Sequence, residues 1–330
     1  MLFAISHRTK LIYSEPISES VMEFRAMPRT DDKQVLHSFD IQATPRTRAC
    51  THTDWLGNLV HQFSLHQPHR HVTIASFSKV ETRSTVVALH ELTGPLEGVI
   101  RDHRSWDFVQ HHGRVDQDPS LPTLATRIGL DSARNVGQAI DIVTQRTRDL
   151  IAYRPGVTQS SSSVSQVLRL GAGVCQDFAH LSLAMLRHLG LPCRYVSGYL
   201  YKPDATELQS HAWAEAFVPE IGWLAFDPSH RQLANENYVT VAVGRSYADV
   251  PPNRGIYRGE AQERVEATVN IRPVETRAQL TPYSTRAILP SPAAESQPIA
   301  LVVRQALRQE PALVKVYTRS PVAQRLPQPQ

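Results

Sequence analysis

The stretch Gly171-Ala-Gly-Val-Cys175-Gln-Asp-Phe-Ala-His180 constrains this chain more than any other. Gly171 and Gly173 permit a sharp backbone turn. Immediately after them Phe178, Leu181, Met185 and Leu189 recur at steps of three and four, which is one face of a helix. Gly190 and Pro192 stop that helix. The turn therefore delivers Cys175 into the first helical turn, where unpaired backbone N–H groups and the helix dipole favour an anion. A sulfur there is favoured as thiolate, the nucleophilic form. A buried and inert thiol is the commoner fate of a free cysteine, and the local pattern alone does not choose between the two.

Whether a thiol stays available depends on the compartment, and here composition speaks. Only Cys50, Cys175 and Cys193 occur, too few and too odd in number for a disulfide framework, which suits a reducing compartment. Met1 to Lys10 puts a short apolar run before the charges, the reverse of a signal peptide, and no apolar run has the length of a membrane span. The expectation is a cytoplasmic protein without membrane contact. With 330 residues, 41% of them hydrophobic, the chain can hold a sizeable core and is expected to form two domains. The net charge of +4 is small, and Lys and Arg are scattered, so nucleic acid is not an expected partner. His66, His69 and His71, and the pair His111-His112, lack Cys or carboxylate partners at zinc-site spacing. Neither a metal nor a cofactor is expected. Oligomeric state is not legible.

Taken in order, residues 1–100 read as a β-rich, sandwich-like domain. Its strand candidates are Thr9–Tyr13, Val21–Arg25, Gln34–Ala43, His71–Val80 and Ser84–Leu89, with Asp54-Trp-Leu-Gly-Asn58 as a turn whose Asp54, Trp55 and Asn58 are turn and core residues. Leu92 to Asp131 is irregular and reads as a linker or surface excursion. The second domain, 101–275, opens with a helix whose apolar face is Val136, Ala139, Ile140, Val143, Thr147, Leu150 and Ile151, ended by Tyr153-Arg-Pro-Gly156. Val164–Leu170 is a short helix leading into the cysteine turn. Strands are expected at Cys193–Tyr201, Ser210–Val218, Trp223–Asp227, Tyr238–Val243 and Glu266–Ile271, with a loop over Gly244–Gly255. Residues 276–330 are Pro-, Gln- and Ser-rich and read as a disordered tail with a short helix at Ile299–Arg308.

A catalytic thiol needs a base within hydrogen-bond reach and a third group that fixes the base. His211 and Asp227 lie on two extended runs joined by a tight turn, so antiparallel pairing can bring them side by side. A core histidine beside Trp213 and a turn-forming aspartate before Pro228 are the plainer readings of the same residues. Asp177 in the first helical turn reads as a cap, and His180 as a packed core residue.

Gly-Val-Cys175-Gln-Asp-Phe-Ala-His-Leu, Arg194-Tyr-Val-Ser-Gly-Tyr199, Ser210-His211-Ala-Trp-Ala-Glu and Gly222-Trp…Phe-Asp227-Pro-Ser resemble the bacterial transglutaminase-like proteins, a group assigned to the cysteine proteases of the transglutaminase-like superfamily. Tyr13-Ser-Glu-Pro-Ile-Ser-Glu-Ser with Asp54…Gly-Asn58 resembles that group's N-terminal β-domain, and Gly244-Arg-Ser-Tyr-Ala-Asp-Val-Pro-Pro…Gly255 its region after the triad. Ser246 departs from the acidic residue of many relatives. The resemblance implies a papain/transglutaminase-like α+β core, a Cys-bearing helix packed on an antiparallel sheet, beside a β-sandwich-like domain. It implies Cys175 as nucleophile, His211 as base and Asp227 as its orienting partner.

The expected chemistry is thiol hydrolysis of an amide or peptide bond through a thioester, with a peptide or protein as substrate. The Cys175 N–H is one expected oxyanion donor, and Gln176, Trp213 and Tyr153 are candidates for the second or for substrate contact. Transglutaminase-type transfer to an amine is the alternative, disfavoured because the sequence shows no acidic calcium-ligand cluster. A catalytically silent protein-binding module on the same fold is the third reading.

Overall fold

The computed structural model describes residues 1–84, 87–96, 103–203, 210–275 and 314–317. Strands β1 (Leu2–Ile17), β2 (Glu19–Phe24), β3 (Gln34–Thr44), β4 (Ala49–Thr53), β5 (Leu59–Leu65) and β6 (His69–Thr82) come first. Helices α1 (His103–Trp106), α2 (Leu121–Ile128) and α3 (Val136–Arg146) follow, then β7 (Ala152–Tyr153), α4 (Val164–Leu170), β8 (Ala172–Gly173) and α5 (Cys175–His188). The chain continues through β9 (Cys193–Leu200), β10 (Ser210–Val218), β11 (Gly222–Asp227), β12 (Gln232–Leu233) and β13 (Tyr238–Gly244). It ends in β14 (Asn253–Arg258), β15 (Glu263–Pro273) and β16 (Val314–Tyr317).

The first strands build two antiparallel sheets that take partners from the far end of the chain. One sheet runs β15-β1-β6-β3 and the other β16-β14-β2-β5-β4. Thr9 on β1 stands opposite Ile74 on one side and Ala267 on the other. Alternation along β1 turns Phe3, Ile5, His7, Thr9, Leu11 and Tyr13 inward. Leu11, Tyr13, Ile17, Met22, Phe24, Phe63, Val72, Ile74 and Tyr257 fill the space between the sheets. β1 runs past Pro16 because its pairing with β6 breaks after Ile12 and resumes at Ile17, leaving exposed Ser14, Glu15 and Pro16 outside the ladder.

Two expectations need correction. Leu92 to Asp131 is not a surface excursion where it is described. Leu121, Ala125 and Ile128 of α2, together with Val115 and Leu130, are buried in the main core. A short helix opening on Leu121-Pro122 has only two turns in which to display its period, so the sequence shows only a brief apolar stripe there. Trp55 is not a core residue. It is 62% exposed, with the Arg245 guanidinium over its ring at 5.1 Å. The Ser84–Leu89 strand falls partly outside the described residues, and Leu89–Glu91 is a 3-10 turn. The Ile299–Arg308 helix lies wholly outside them.

The second sheet system runs β12-β11-β10-β9-β13, antiparallel throughout. Helix α5 packs on β10 and β9. The small residues Ala212, Ala214 and Ala216 share the core cluster of Phe178, Leu181 and Met185, which lets the helix come close. The opposite face carries Val196, Leu200, Trp213, Tyr238 and Val243 as a separate cluster. Arg187 of α5 is buried, and no carboxylate among the described residues forms an ion pair with it. Its guanidinium donates to the carbonyls of Phe108 (3.0 Å), Gln110 (2.9 Å), Cys193 (3.1 Å) and Arg245 (2.6 Å), which staples the segment before α2 onto the helix.

β13 is the edge of that sheet, and the first unit closes it with two side-chain amides. Gln34 Nε2 donates to the Thr240 carbonyl and Gln34 Oε1 accepts from the Thr240 N–H, both at 2.8 Å. Asn58 does the same to Val243, again at 2.8 Å each way. Each amide imitates a neighbouring strand at one residue. Asn58 is fully buried, and Asp54 holds its turn by accepting from the Leu56 and Asn58 N–H groups. Asn58→Ala leaves the buried Val243 N–H and C=O unpaired, and should cost about 2–4 kcal/mol. Urea unfolding with an unchanged slope and a lowered midpoint is the expected readout.

Candidate active site

The cysteine turn is assembled before the helix begins. α4 starts with a capping box, Ser163 and Gln166 bonding reciprocally, and ends at Gly171 with φ of 62°. β8 then pairs in parallel with β7. Val174 is extended, and its N–H donates to Asp177 Oδ2 at 2.8 Å. The Thr158 hydroxyl donates to the same oxygen at 2.6 Å. Asp177 thus caps the helix from its third position, and burial holds its carboxyl above the ordinary range against those two bonds. A Cβ on Gly173 would lie 2.5 Å from Asp177 Oδ2 and 2.6 Å from Asp177 Cβ, so only glycine fits beside the cap. Cys175 emerges half-buried at the helix start, whereas Cys193 is fully buried with its thiol pushed up to about 11 by desolvation.

His211 and Asp227 meet as the antiparallel pairing of β10 and β11 requires. His211 Nε2 lies 2.7 Å from Asp227 Oδ2. Burial alone would lower the imidazole, but hydrogen bonds to Asp227 and to Cys175, and the charges of both, raise it to about 9. With Nε2 engaged by the carboxylate, Nδ1 is left for the sulfur. Asp227 is fully buried and accepts on both oxygens. Oδ2 takes His211, His230 Nδ1 at 2.8 Å and the Tyr238 hydroxyl at 2.9 Å. Oδ1 takes the Ser229 N–H at 2.8 Å, the Ser229 hydroxyl at 2.6 Å and the His230 N–H at 3.3 Å. Burial would raise this carboxyl, yet the donors, His211 and His230 foremost, hold it far below the usual carboxylate range.

The remaining candidates divide. Tyr153 is 46% exposed, stacks on Phe178 with ring centres 5.9 Å apart, and has its phenol raised by burial and then by the charges of Cys175 and Asp227. Gln176 turns its amide toward the Ser160 carbonyl at 3.2 Å. Trp213 lies behind His211, the two rings near-parallel at 6.1 Å, and its Nε1 is buried with no hydrogen-bond partner among the described residues. It backs the imidazole. His180 is buried in the core, accepts from the Tyr247 N–H at 3.0 Å, and is lowered to about 3 by burial. Ser246 caps a short turn, accepting from the Ala248 N–H.

Sequence reasoning missed His230, Tyr238 and Thr158. Asp227-Pro-Ser-His230 does carry a signal, because an aspartate followed by such residues folds back on their N–H groups. Among the described residues His211, Asp227 and His230 are the grouping of metal-type ligand atoms, all within 4.8 Å. Those atoms are spent on bonds to one another.

Residues 122–228 match the family described as Transglutaminase-like superfamily, and residues 3–81 match the Bacterial transglutaminase-like N-terminal region. Uncharacterized protein ML0607 of Mycobacterium leprae is 34% identical over 278 residues, 81% of this chain and 97% of that protein. The chain belongs to the transglutaminase-like superfamily. A second relative, an uncharacterized protein of Mycobacterium tuberculosis, is 33% identical over 313 residues, covering 83% of this chain and 93% of its own length. The crystal structure of a "Putative Cysteine Protease" from Cytophaga hutchinsonii superposes with a TM-score of 0.71 at 21% identity, over 84% of this chain and 92% of the other, which shows the shared fold. The transglutaminase-like core on an antiparallel sheet, beside a strand-rich N-terminal unit, is therefore the fold of this chain. Membership of this superfamily supports thiol-dependent hydrolase or acyltransferase chemistry in general terms. No described helix is long and apolar enough to cross a membrane.

Two outcomes follow from this geometry. Gly173→Ala should displace Asp177 and slow iodoacetamide labelling of Cys175 by more than about tenfold, with circular dichroism unchanged. The imidazole is raised from 6.5 to about 9, so its contribution to stability is complete below the ordinary value and is lost as pH rises through about 9. The stability advantage of the wild type over Asp227→Asn should accordingly shrink between about pH 7 and about pH 10. An advantage that stays flat over that window means that His211 is uncharged in the fold.

Proposed function

We propose that this protein is a thiol hydrolase that cleaves amide or peptide bonds with Cys175, His211 and Asp227. One observation carries the reading: His211 is bonded to a buried carboxylate at Nε2 and is raised by the neighbouring Cys175 sulfur as well. That is the relation of nucleophile, base and orienting acid that acyl transfer needs.

The Cys175 thiolate attacks the carbonyl carbon, forming a C–S bond while the carbonyl π electrons move to oxygen. The Cys175 N–H at the helix start is one donor for that oxyanion. Tyr153, exposed and within electrostatic reach of the sulfur, and Gln176, next in the helix, are the candidates for the second donor or for substrate contact. Trp213 instead backs the imidazole. When the intermediate collapses, the C–N bond breaks and the His211 proton goes to the leaving amine. A thioester remains. Water then attacks it, its proton returns to His211, and the C–S bond breaks to release the acid and restore the thiolate. An amine in place of water gives transamidation by the same steps. Asp227 stays charged throughout and holds the ring.

Iodoacetamide should label Cys175 faster than exposed Cys50 and buried Cys193 near neutral pH, as mapped by peptide mass spectrometry. Equal or slower labelling of Cys175 would sink the nucleophile. Trapping the thioester from a peptide library, then releasing it with and without a primary amine, separates the two fates. Free acid in both arms is the expected product.

A further inference from the structure

Asp227 serves a second imidazole that the triad chemistry does not use. His230 Nδ1 bonds to the same Oδ2 as His211 Nε2, at 2.8 Å against 2.7 Å, and the two rings meet edge to face at 5.2 Å. Two cationic imidazoles on one oxygen would compete for a single charge. The other end of His230 answers this. Its Nε2 lies 2.8 Å from the ammonium nitrogen of Lys202, which is exposed just after β9. An ammonium offers only donors, so Nε2 there must accept, while Nδ1 facing a carboxylate must donate. The two contacts select one uncharged tautomer. Among the described residues, the groups packed around this pair are bonded as follows. From β13 the Tyr238 hydroxyl donates to Asp227, its oxygen already accepting from Gln232 Nε2 at 2.8 Å. From the turn after α3 Arg148 donates to the Ser229 carbonyl at 3.0 Å, and Ser229 Oγ lies 3.1 Å from His230 Nδ1.

We propose that His230, held uncharged by Lys202, is a positioning residue that fixes the Asp227 carboxylate and keeps its charge for His211. The proposal rests on the Cys175-His211-Asp227 reading, and acts through Asp227 without touching substrate. Lys202→Met removes the ammonium, frees His230 Nε2 to take a proton, and puts a second cation 5.2 Å from His211. His211 should then release its proton at a pH about one unit lower, a tenfold weaker hold. Merely deleting a nearby cation would do the opposite and strengthen that hold. His230→Asn in the Lys202→Met background should bring the titration back to the wild-type value or above it, because an amide can donate to Asp227 and cannot become an imidazolium, and the Lys202 ammonium is gone as well.

The test is nitrogen NMR of labelled histidine against pH, in wild type, Lys202→Met and the double variant, with Cys175 alkylation followed on the same samples. The expected wild-type result is His230 protonated at Nδ1 alone while His211 carries both protons at neutral pH. A His230 protonated at Nε2 in the wild type overturns the proposal. So does a Lys202→Met variant whose His211 titration is unmoved or moves upward, or a shift that His230→Asn fails to reverse. Absence of selective Cys175 alkylation in every variant would sink the catalytic reading, while the imidazole titrations would still decide this one.

Discussion

A carboxylate sealed from water dictates much of this structure. Taking such a charge out of solvent costs several kcal/mol unless donors replace the lost water. Asp227 is fully buried, so Oδ2 accepts from β10, the turn after β11 and the start of β13, while Oδ1 accepts three donors of that turn. A register shift of any one of these elements would withdraw at least one donor from the buried charge. The His211–Asp227 geometry and the local fold are thus one requirement, and His211 inherits its orientation from it.

The sulfur is positioned by an independent device. Asp177 reaches back to the Val174 N–H, Thr158 fixes the carboxylate from outside the helix, and Gly173 leaves room for both. Helix α5 then lies against a strip of alanines on β10, which sets the distance between the helix start and the strand carrying His211. Trp213 on the opposite face closes the back of the imidazole. Two local solutions, a capped turn and a saturated carboxylate, meet at the thiol–imidazole contact.

Features whose cause is local were legible in the sequence. The spacing of Phe178, Leu181 and Met185, the stops at Gly190 and Pro192, and the alternation around His211 marked α5 and β10 at nearly their observed limits. The Cys175, His211 and Asp227 candidates followed because their elements were legible. Features whose cause is distant were not. β14 contains Gly255 and two arginines, and owes its strand state to β2, more than two hundred residues earlier. His230 looks like a turn residue until Lys202 and Asp227 are seen at its two ring nitrogens. Asn58 reads as a turn residue for a sound reason, and nothing local tells that its amide also bonds Val243.

That last contact bears on how the chain can be divided. Gln34 and Asn58 occupy the hydrogen-bonding groups of a border strand that would otherwise stand open. Cut away residues 1–84, and the fragment retaining the matched superfamily core would present bare amide and carbonyl groups at Thr240 and Val243 to any passing polypeptide. Such a fragment invites intermolecular strand addition. The amino-terminal sheets therefore act as a guard against self-association as well as a scaffold.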